Sequence, residues 1–320
     1  MNSQNIILVD AYAQIYRGFF AIRNLSNSKG LPVNAVFALA KFLIRLNRDY
    51  PIHYGAFTFD VGKPAFRLDI LPEYKANRPP MPDELRNQIP FIHRLVEYFG
   101  WPSLSKEDYE SDDLLAGIAG FFTEYPVLIV SGDKDIAQVI DDRVKMLVPD
   151  KKDGGLAVRG ANEVMERYGV FPDQIPDLLA LTGDSSDNIP GVPGVGPKTA
   201  AKLIAEFGSL SNLLQNITKL DNQKLREKIL PCADILKKNL ALITLKTELP
   251  DNSWKALSIL ERKTPDWQKI LALCAELELK SIYREVENLM NALPFDVMKK
   301  TPVQESKKTA PEGFIPDLFG

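Results

Sequence analysis

The sequence predicts an α/β body, with a mostly parallel sheet flanked by helices, followed by a helical region. Three observations carry this. Apolar runs of strand length alternate with helical patterns as far as about Val158. Those runs are continuous rather than alternating, as expected of strands buried on both faces. Beyond Val158 the strand signals stop, and short helical patterns continue to about Leu293. Strands that alternate with helices imply parallel pairing through crossovers.

Taken in order, "IILVD" (6–10) is a buried strand closed by a carboxylate. "NAVFALAKFLIRLNRDY" (34–50) has helical spacing. "YGAFTFD" (54–60) is a second strand, again ending in aspartate. "PDELRNQIPFIHRLVEYFG" (82–100) is helical, with a kink or break expected at Pro90. "ESDDLLAGIAGFFTEY" (110–125) is a helix with acids in its first turn, and "PVLIVSGDKD" (126–135) is a third strand running into an acidic turn. "VKMLVP" (144–149) is a fourth. The domain reading is an α/β body over 1–170, a helical region over 171–293 and a flexible tail over 294–320, where prolines, lysines and polar residues replace apolar periodicity.

The totals are those of a soluble globular chain: 320 residues, 45% hydrophobic and 25% charged. Net charge is -3, which taken alone argues against a polyanion partner, but binding follows local patches rather than sums. The two cysteines, Cys232 and Cys274, are far apart and form no disulfide framework or zinc motif. Neither His53 nor His93 has a metal-ligand neighbour in sequence. The first apolar run is only a strand long, and no stretch approaches the ~20 residues a bilayer requires. The expectation is a cytoplasmic protein with no membrane partner.

Asp10, Asp60 and Asp133 follow predicted strands, Asp135 lies two residues after Asp133, and Glu110, Asp112 and Asp113 begin a helix. In an open parallel sheet the carboxyl ends of the strands share one edge, so acids distant in sequence can converge there. Singly, each also reads as a helix cap or a turn residue. Together they repel one another, and a hard cation such as magnesium or manganese relieves that repulsion. No serine, histidine or cysteine constellation accompanies them. The chemistry indicated is hydrolysis of a phosphate ester by water activated between two metals.

"GVPGVGPKTA" (191–200) fits a hairpin between two helices. Glycines allow close backbone approach, Pro197 suits a first helical position, and free amides at a helix start accept an anion. The alternative is a plain tight turn. "LPEYKANRPPMPDELR" (71–86) places Lys75 and Arg78 three apart beside Tyr74, where they can clamp a phosphate or form an ordinary charged loop. Arg17, one or two turns after Asp10, can act likewise.

These stretches bear a resemblance. "ILVD…YR", "FD", "YKANRPPMPDELR", "ESDD", "SGDKD", "YGVFPDQIPDLLALTGDSSDNIPGVPGVGPKTA", "LITLKTEL" and "LELKSIYREVENL" resemble, in order, the 5′-nuclease or flap-endonuclease family, especially the 5′→3′ exonuclease domain of bacterial DNA polymerase I. The resemblance implies a PIN-like α/β fold with a helical arch about 66–100, then a helix–hairpin–helix region. It implies a two-metal site for Mg2+, with Mn2+ able to substitute. Asp10, Asp60, Glu110 and Asp112 would serve the first metal; Asp112, Asp113, Asp133, Asp135, Asp184 and Asp187 would serve the second region. Arg17, Lys75 and Arg78 match the basic residues at the scissile phosphate. Gly191, Val192, Gly194, Val195, Gly196, Lys198 and Thr199 match the duplex-holding hairpin, which in the family often carries a potassium ion.

The implied activity is 5′→3′ exonuclease and structure-specific 5′-flap endonuclease on branched or nicked DNA and RNA–DNA primers, in a monomer of the bacterial nucleoid. A DNA polymerase in cis or in trans is the implied partner. The terminal "PDLF" resembles the end of sliding-clamp-binding peptides, although Ile315 stands where those begin with glutamine. Ala11, Tyr12 and Pro197 depart from the family's pattern. Two other classes are weighed: a PIN-like ribonuclease, which the hairpin and arch disfavour, and a non-catalytic junction binder, in which an acidic cavity facing phosphate would serve no purpose.

Overall fold

The computed structural model describes residues 5–50, 52–150 and 155–292. The expected flexible tail and the PDLF peptide lie outside the described residues. From the N-terminus the elements are β1 (Ile6–Asp10), α1 (Ala11–Ala21), α2 (Asn34–Asp49), β2 (Tyr54–Thr58), α3 (Ala65–Ile70), α4 (Asp83–Arg86), α5 (Ile89–Tyr98), β3 (Ser103–Leu104), α6 (Ser111–Phe121), β4 (Val127–Val130), β5 (Val144–Pro149) and β6 (Leu156–Arg159). Helices dominate thereafter: α7 (Ala161–Tyr168), α8 (Ile175–Thr182), a ladder of β7 (Gly183–Asp184) and β8 (Ile189–Pro190), α9 (Pro197–Phe207), α10 (Leu210–Gln215), α11 (Gln223–Ile229), α12 (Ala233–Ile243), α13 (Trp267–Glu276) and α14 (Lys280–Ala292). Strands β1 to β6 make a mixed, mostly parallel sheet flanked by helices, with a helical region after it. No described helix is long and apolar enough to cross a membrane.

The chain divides into two compact units. One comprises Met1–Val61, Pro80–Leu104 and Ala256–Gly320 in its described part. Here β1 pairs in parallel with β2, and β2 with β3. All five β1 residues are buried, which is why the run reads as continuously apolar. Helix α1 packs on α2, and a Cβ at Gly18 would fall 2.6 Å from that of Ala38, so only glycine permits this approach.

Helix α2 is preceded by Val33, whose side chain cannot cap it. The cap comes from Gln88, just before α5. Its Oε1 accepts from Ala35 N at 2.8 Å and Val36 N at 3.3 Å, and its Nε2 donates to Asn34 Oδ1 at 2.8 Å. Asn34 in turn donates to the carbonyls of Phe19 and Ile22, both at 2.8 Å, closing the end of α1.

The other unit comprises Gly62–Pro79 and Ser105–Lys255 in its described part. Strand β4 pairs in parallel with β5, and β6 returns antiparallel to β5. Helices α8 and α12 pack together, and the buried Asn239 of α12 donates to Ala180 O at 3.1 Å and Pro190 O at 2.6 Å. That pins the end of α8 to β8.

Four local expectations change. Only Asp10 is the last residue of a strand; Asp60 lies two residues past β2 and Asp133 three past β4, because each chain leaves the sheet before reaching its acid. The helix expected over 82–100 is two helices, and Pro90 sits in the first turn of the second, where its missing N–H costs no bond. Strands β3 and β6 are added, the first only two residues long. Strand structure also recurs after Val158, in the two-residue ladder β7–β8.

Replacing Gln88 with leucine strands the Ala35 N–H and the Asn34 amide in a dry site. We expect a loss of about 2–4 kcal/mol of unfolding free energy in urea melts. A loss under about 0.5 kcal/mol would mean that the cap is dispensable.

Candidate metal centre and nucleic-acid interface

The site in the second unit is built around two irregular segments, 73–78 and 184–188. They are stitched together through backbone groups: Lys75 N donates to Asp187 O at 3.0 Å, Asn77 Nδ2 to Ser185 O at 2.6 Å, and Asn188 Nδ2 to Glu73 O at 2.8 Å. Lys75 and Asn188 both have left-handed backbone, with φ of 54° and 59°. Such a conformation at a lysine is uncommon and is held here by its neighbours.

The side chains carry an alternation of charge. Tyr74 is 2% exposed, and its hydroxyl lies between Glu110 Oε2 (2.9 Å) and Asp187 Oδ2 (3.1 Å). Burial and the two carboxylates push its pKa far up, so it remains a neutral donor. Lys75 Nζ is 2.5 Å from Glu110 Oε1 and 3.7 Å from Asp187 Oδ2. Arg78 lies 2.5 Å from Asp187 Oδ1 and also reaches Ser186 O. Burial opposes the charge of both bases, but attraction to Glu110 and Asp187 for Lys75, and to Asp187 for Arg78, holds their pKa values above the ordinary.

Behind this layer lies Arg67, 1% exposed. It donates to Asp113 through two bonds (2.7 and 2.8 Å), to Glu110 Oε2 (2.8 Å) and to Leu242 O (3.0 Å). Asp113 also accepts from Glu110 N at 3.2 Å and Lys246 N at 2.9 Å. With four donors on its two oxygens and no exposure, Asp113 holds Glu110 and Arg67 in place in this structure and offers no open ligand oxygen.

Asp135, Asp184 and Asp187 each bring a carboxylate oxygen to within 4.8 Å of the others. Asp135 Oδ1 is buried without a hydrogen-bond partner. Burial, then the charge of Asp133, pushes the Asp135 pKa up to about 8, with Asp184 and Asp187 contributing. Burial also acts on Asp184, but hydrogen bonds from Lys134 (2.7 Å) and Ser186 outweigh it and hold its carboxyl below the ordinary value. An orphaned oxygen within a hard, all-carboxylate donor set fits a magnesium- or manganese-class ion. Asp133 lies outside this triplet and accepts from Asp135 N at 3.0 Å, and Asp112 sits half-buried on α6.

Asp10, Asp60 and Arg17 belong to the first unit. Asp10 caps α1 by accepting from Ala13 N at 3.0 Å and pairs in register with Thr58, so it and Asp60 lie at the carboxyl end of β1 and β2. Arg17 is on α1. Tyr12 packs edge-on to Phe59 at 6.0 Å, and burial together with Asp60 raises its pKa to about 12. His93 packs against Phe59 with ring centroids 4.4 Å apart and planes tilted by 34°, and burial lowers its pKa.

The hairpin follows directly from β8. Gly183 (φ 72°) and Gly191 face each other so closely that a Cβ on Gly191 would overlap the Thr182 carbonyl. Val192 and Val195 are buried and anchor the turn; Val192 N donates to Leu181 O at 2.9 Å and Val195 N to Val192 O at 3.0 Å. Gly194 has φ of 77°, and Gly196 caps α9 with open space around it. Lys198 and Thr199 lie in the first turn of α9. Lys228 reaches over Gly194 from α11, so near that a Cβ there would be 2.8 Å from its ammonium. Arg67, Lys134 and Lys228 escaped the sequence reading because their partners are distant in the chain; only the adjacent motifs hinted at the first two.

A hard-oxygen centre flanked by bases, in the same unit as a glycine-rich hairpin, defines a metal-dependent nuclease. Residues 5–169 match the 5′-3′ exonuclease N-terminal resolvase-like domain, and residues 170–267 match the 5′-3′ exonuclease C-terminal SAM fold. The chain belongs to the 5′-3′ exonuclease family. It is 35% identical over 289 residues to the 5′-3′ exonuclease of Aquifex aeolicus, covering 89% of this chain and 96% of that one. It is 36% identical over 310 residues to the thermostable DNA polymerase I of Thermus thermophilus, covering 96% of this chain but 35% of the relative, so it spans about a third of that polymerase's length. The fold matches a bacteriophage T5 flap endonuclease in a pseudo-enzyme–product complex with DNA and metal ions (TM-score 0.64, 22% identity, 90% of this chain and 100% of that one). It also matches the catalytic core of Rad2 in complex with DNA substrate (TM-score 0.62, 16% identity, 91% and 92%).

Arg67→Met would leave Asp113 buried and uncompensated, and we expect a loss of about 3–5 kcal/mol in denaturant titrations. Tyr74→Phe, which removes one hydroxyl, should cost only about 1–2 kcal/mol. Equal effects from the two substitutions would contradict the bracket described here.

Proposed function

We propose that this chain is a divalent-metal-dependent 5′→3′ exonuclease that also cuts 5′ flaps, with branched or nicked DNA and RNA–DNA primers as substrates. The observation that carries the proposal is the Asp135–Asp184–Asp187 cluster, with its orphaned buried oxygen, lying next to the Tyr74–Lys75–Arg78 segment. The named carboxylates would hold two ions, Mg2+ or Mn2+; assigning Asp10 and Asp60 with Glu110 and Asp112 to the first ion rests on the family resemblance. Bound ions would supply activated water and countercharge for the leaving oxygen.

The chain's own residues do the rest. Arg67 and Asp113 fix Glu110, and Tyr74 keeps Glu110 and Asp187 at one separation. Lys75 and Arg78, and Arg17 by resemblance, carry the charge that meets the scissile phosphate. Gly191 through Gly196, with Lys198 and Thr199, would hold the duplex backbone without reading sequence, and by resemblance the same hairpin would take a potassium ion. Residues about 66–100 would form the arch over a single-stranded 5′ end. The domain division near residue 170, a polymerase acting in cis or in trans and a clamp reached through PDLF belong to the same reading.

The test is a 5′-flap duplex labelled at the flap end, incubated with magnesium, with chelator, and with Asp135→Ala and Asp187→Ala variants. Cleavage near the junction should require magnesium and fall by at least about 100-fold in each variant. Tight binding without cleavage would make the protein a junction binder, and preference for an RNA flap alone would favour the ribonuclease reading.

A further inference from the structure

Lys134 stands within the acidic centre and is not one of the bases expected at the phosphate. Its ammonium lies 2.7 Å from Asp184 Oδ2, while Asp184 Oδ1 is taken by Ser186 N at 2.9 Å and Ser186 Oγ at 2.6 Å. Three donors thus take three of the roughly four lone-pair sites of Asp184, and the ammonium stands on the one oxygen with a site left, so an ion arriving there meets the charge of Lys134. The neighbouring Asp135 presents an orphaned oxygen to the same cluster. Lys134 directly precedes Asp135, and its side chain is 31% exposed, so the ammonium has solvent to move into.

We propose that Lys134 is a resident cation that competes with the divalent metal for Asp184 and thereby sets the affinity of this centre. The inference rests on the metal reading above. A monovalent charge neutralises Asp184 in the metal-free protein and restrains repulsion among the three acids. A divalent ion brings twice the charge and displaces the ammonium toward solvent. The exchange makes ion binding weaker than the bare carboxylates would allow, and favours ions with enough charge density to win it.

Calorimetric titration with MnCl2 and MgCl2, alongside thermal melts with and without metal, tests this on the whole chain. The native chain, Lys134→Met and Lys134→Arg are compared. Lys134→Met should bind Mn2+ about ten-fold more tightly than native. Its metal-free form should melt lower, and metal should raise its Tm by more than it raises that of the native chain. Lys134→Arg, which keeps a charge able to grip Asp184 by two bonds, should bind no more tightly than native.

Binding by Lys134→Met but not detectably by the native chain also supports the proposal. Unchanged or weaker metal affinity in Lys134→Met overturns it, even if stability falls, because that is the signature of a merely structural lysine; the metal centre itself would then stand. A ten-fold gain in Lys134→Arg overturns it as well. No metal binding by any of the three overturns both this inference and the metal centre.

Discussion

A guanidinium sealed from water forces the geometry of the acidic centre. Arg67 cannot be buried without partners, because an unpaired charge in a dry interior costs several kcal/mol. Its partners are Asp113, Glu110 and Leu242 O, drawn from α6 and the end of α12. Satisfying one side chain therefore fixes where α3, the start of α6 and the end of α12 meet. Glu110 is left with its carboxylate turned to Tyr74 and Lys75, and Tyr74 passes that constraint on to Asp187. The acidic centre is thus held in place by a charge that is itself sealed from solvent.

Above that bracket, the centre is organised by repulsion. Asp135, Asp184 and Asp187 crowd together, and the chain supplies cations where it can: Lys134 to Asp184, Arg78 and Lys75 to Asp187. Of the three, Asp135 alone retains an oxygen without a hydrogen-bond donor, and burial, then the charge of Asp133, raises its pKa. In the proposed function this is how a chain of net charge -3 would act on a polyanion. The excess acid is concentrated where divalent ions would neutralise it, while the glycine-rich hairpin and Lys228 lie outside that cluster.

The strands were legible because burial on both faces leaves apolar runs, continuous in β1 and β4 and broken only by Lys145 in the middle of β5. Strands β3 and β6 were not, since two residues give no periodicity and the apolar run of β6 is only three residues long, in a strand that is not buried. Residue types revealed the acids at the centre. Spacing did not reveal their separate tasks, because Asp112 and Asp113 are neighbours in sequence yet one is half-buried on its helix and the other sealed against Arg67. The glycines were readable for a physical reason, as Gly183, Gly191 and Gly194 occupy positions that a side chain would strain or fill. The Gln88 cap and the Lys134 contact were hidden because each joins residues about 50 apart, and no local pattern records such a pair.

The order of residues from 183 to 196 carries a mechanical consequence. Asp184 ends β7 and Asp187 lies on the turn that β7 and β8 close, and the glycine-rich hairpin begins at the residue after β8. Gly183 and Gly191 pack backbone against backbone at the base of that turn, and Asn239 clamps Ala180 and Pro190 on either side of it. No flexible linker separates the carboxylates from the hairpin, so neither can shift without straining the β7–β8 ladder or the Asn239 bonds. In the proposed function the same short span both grips the backbone and presents two metal ligands. The distance from the point of grip to the point of cleavage is then set by a few hydrogen bonds within one unit, which is how a protein that reads no bases can still select a position along the strand.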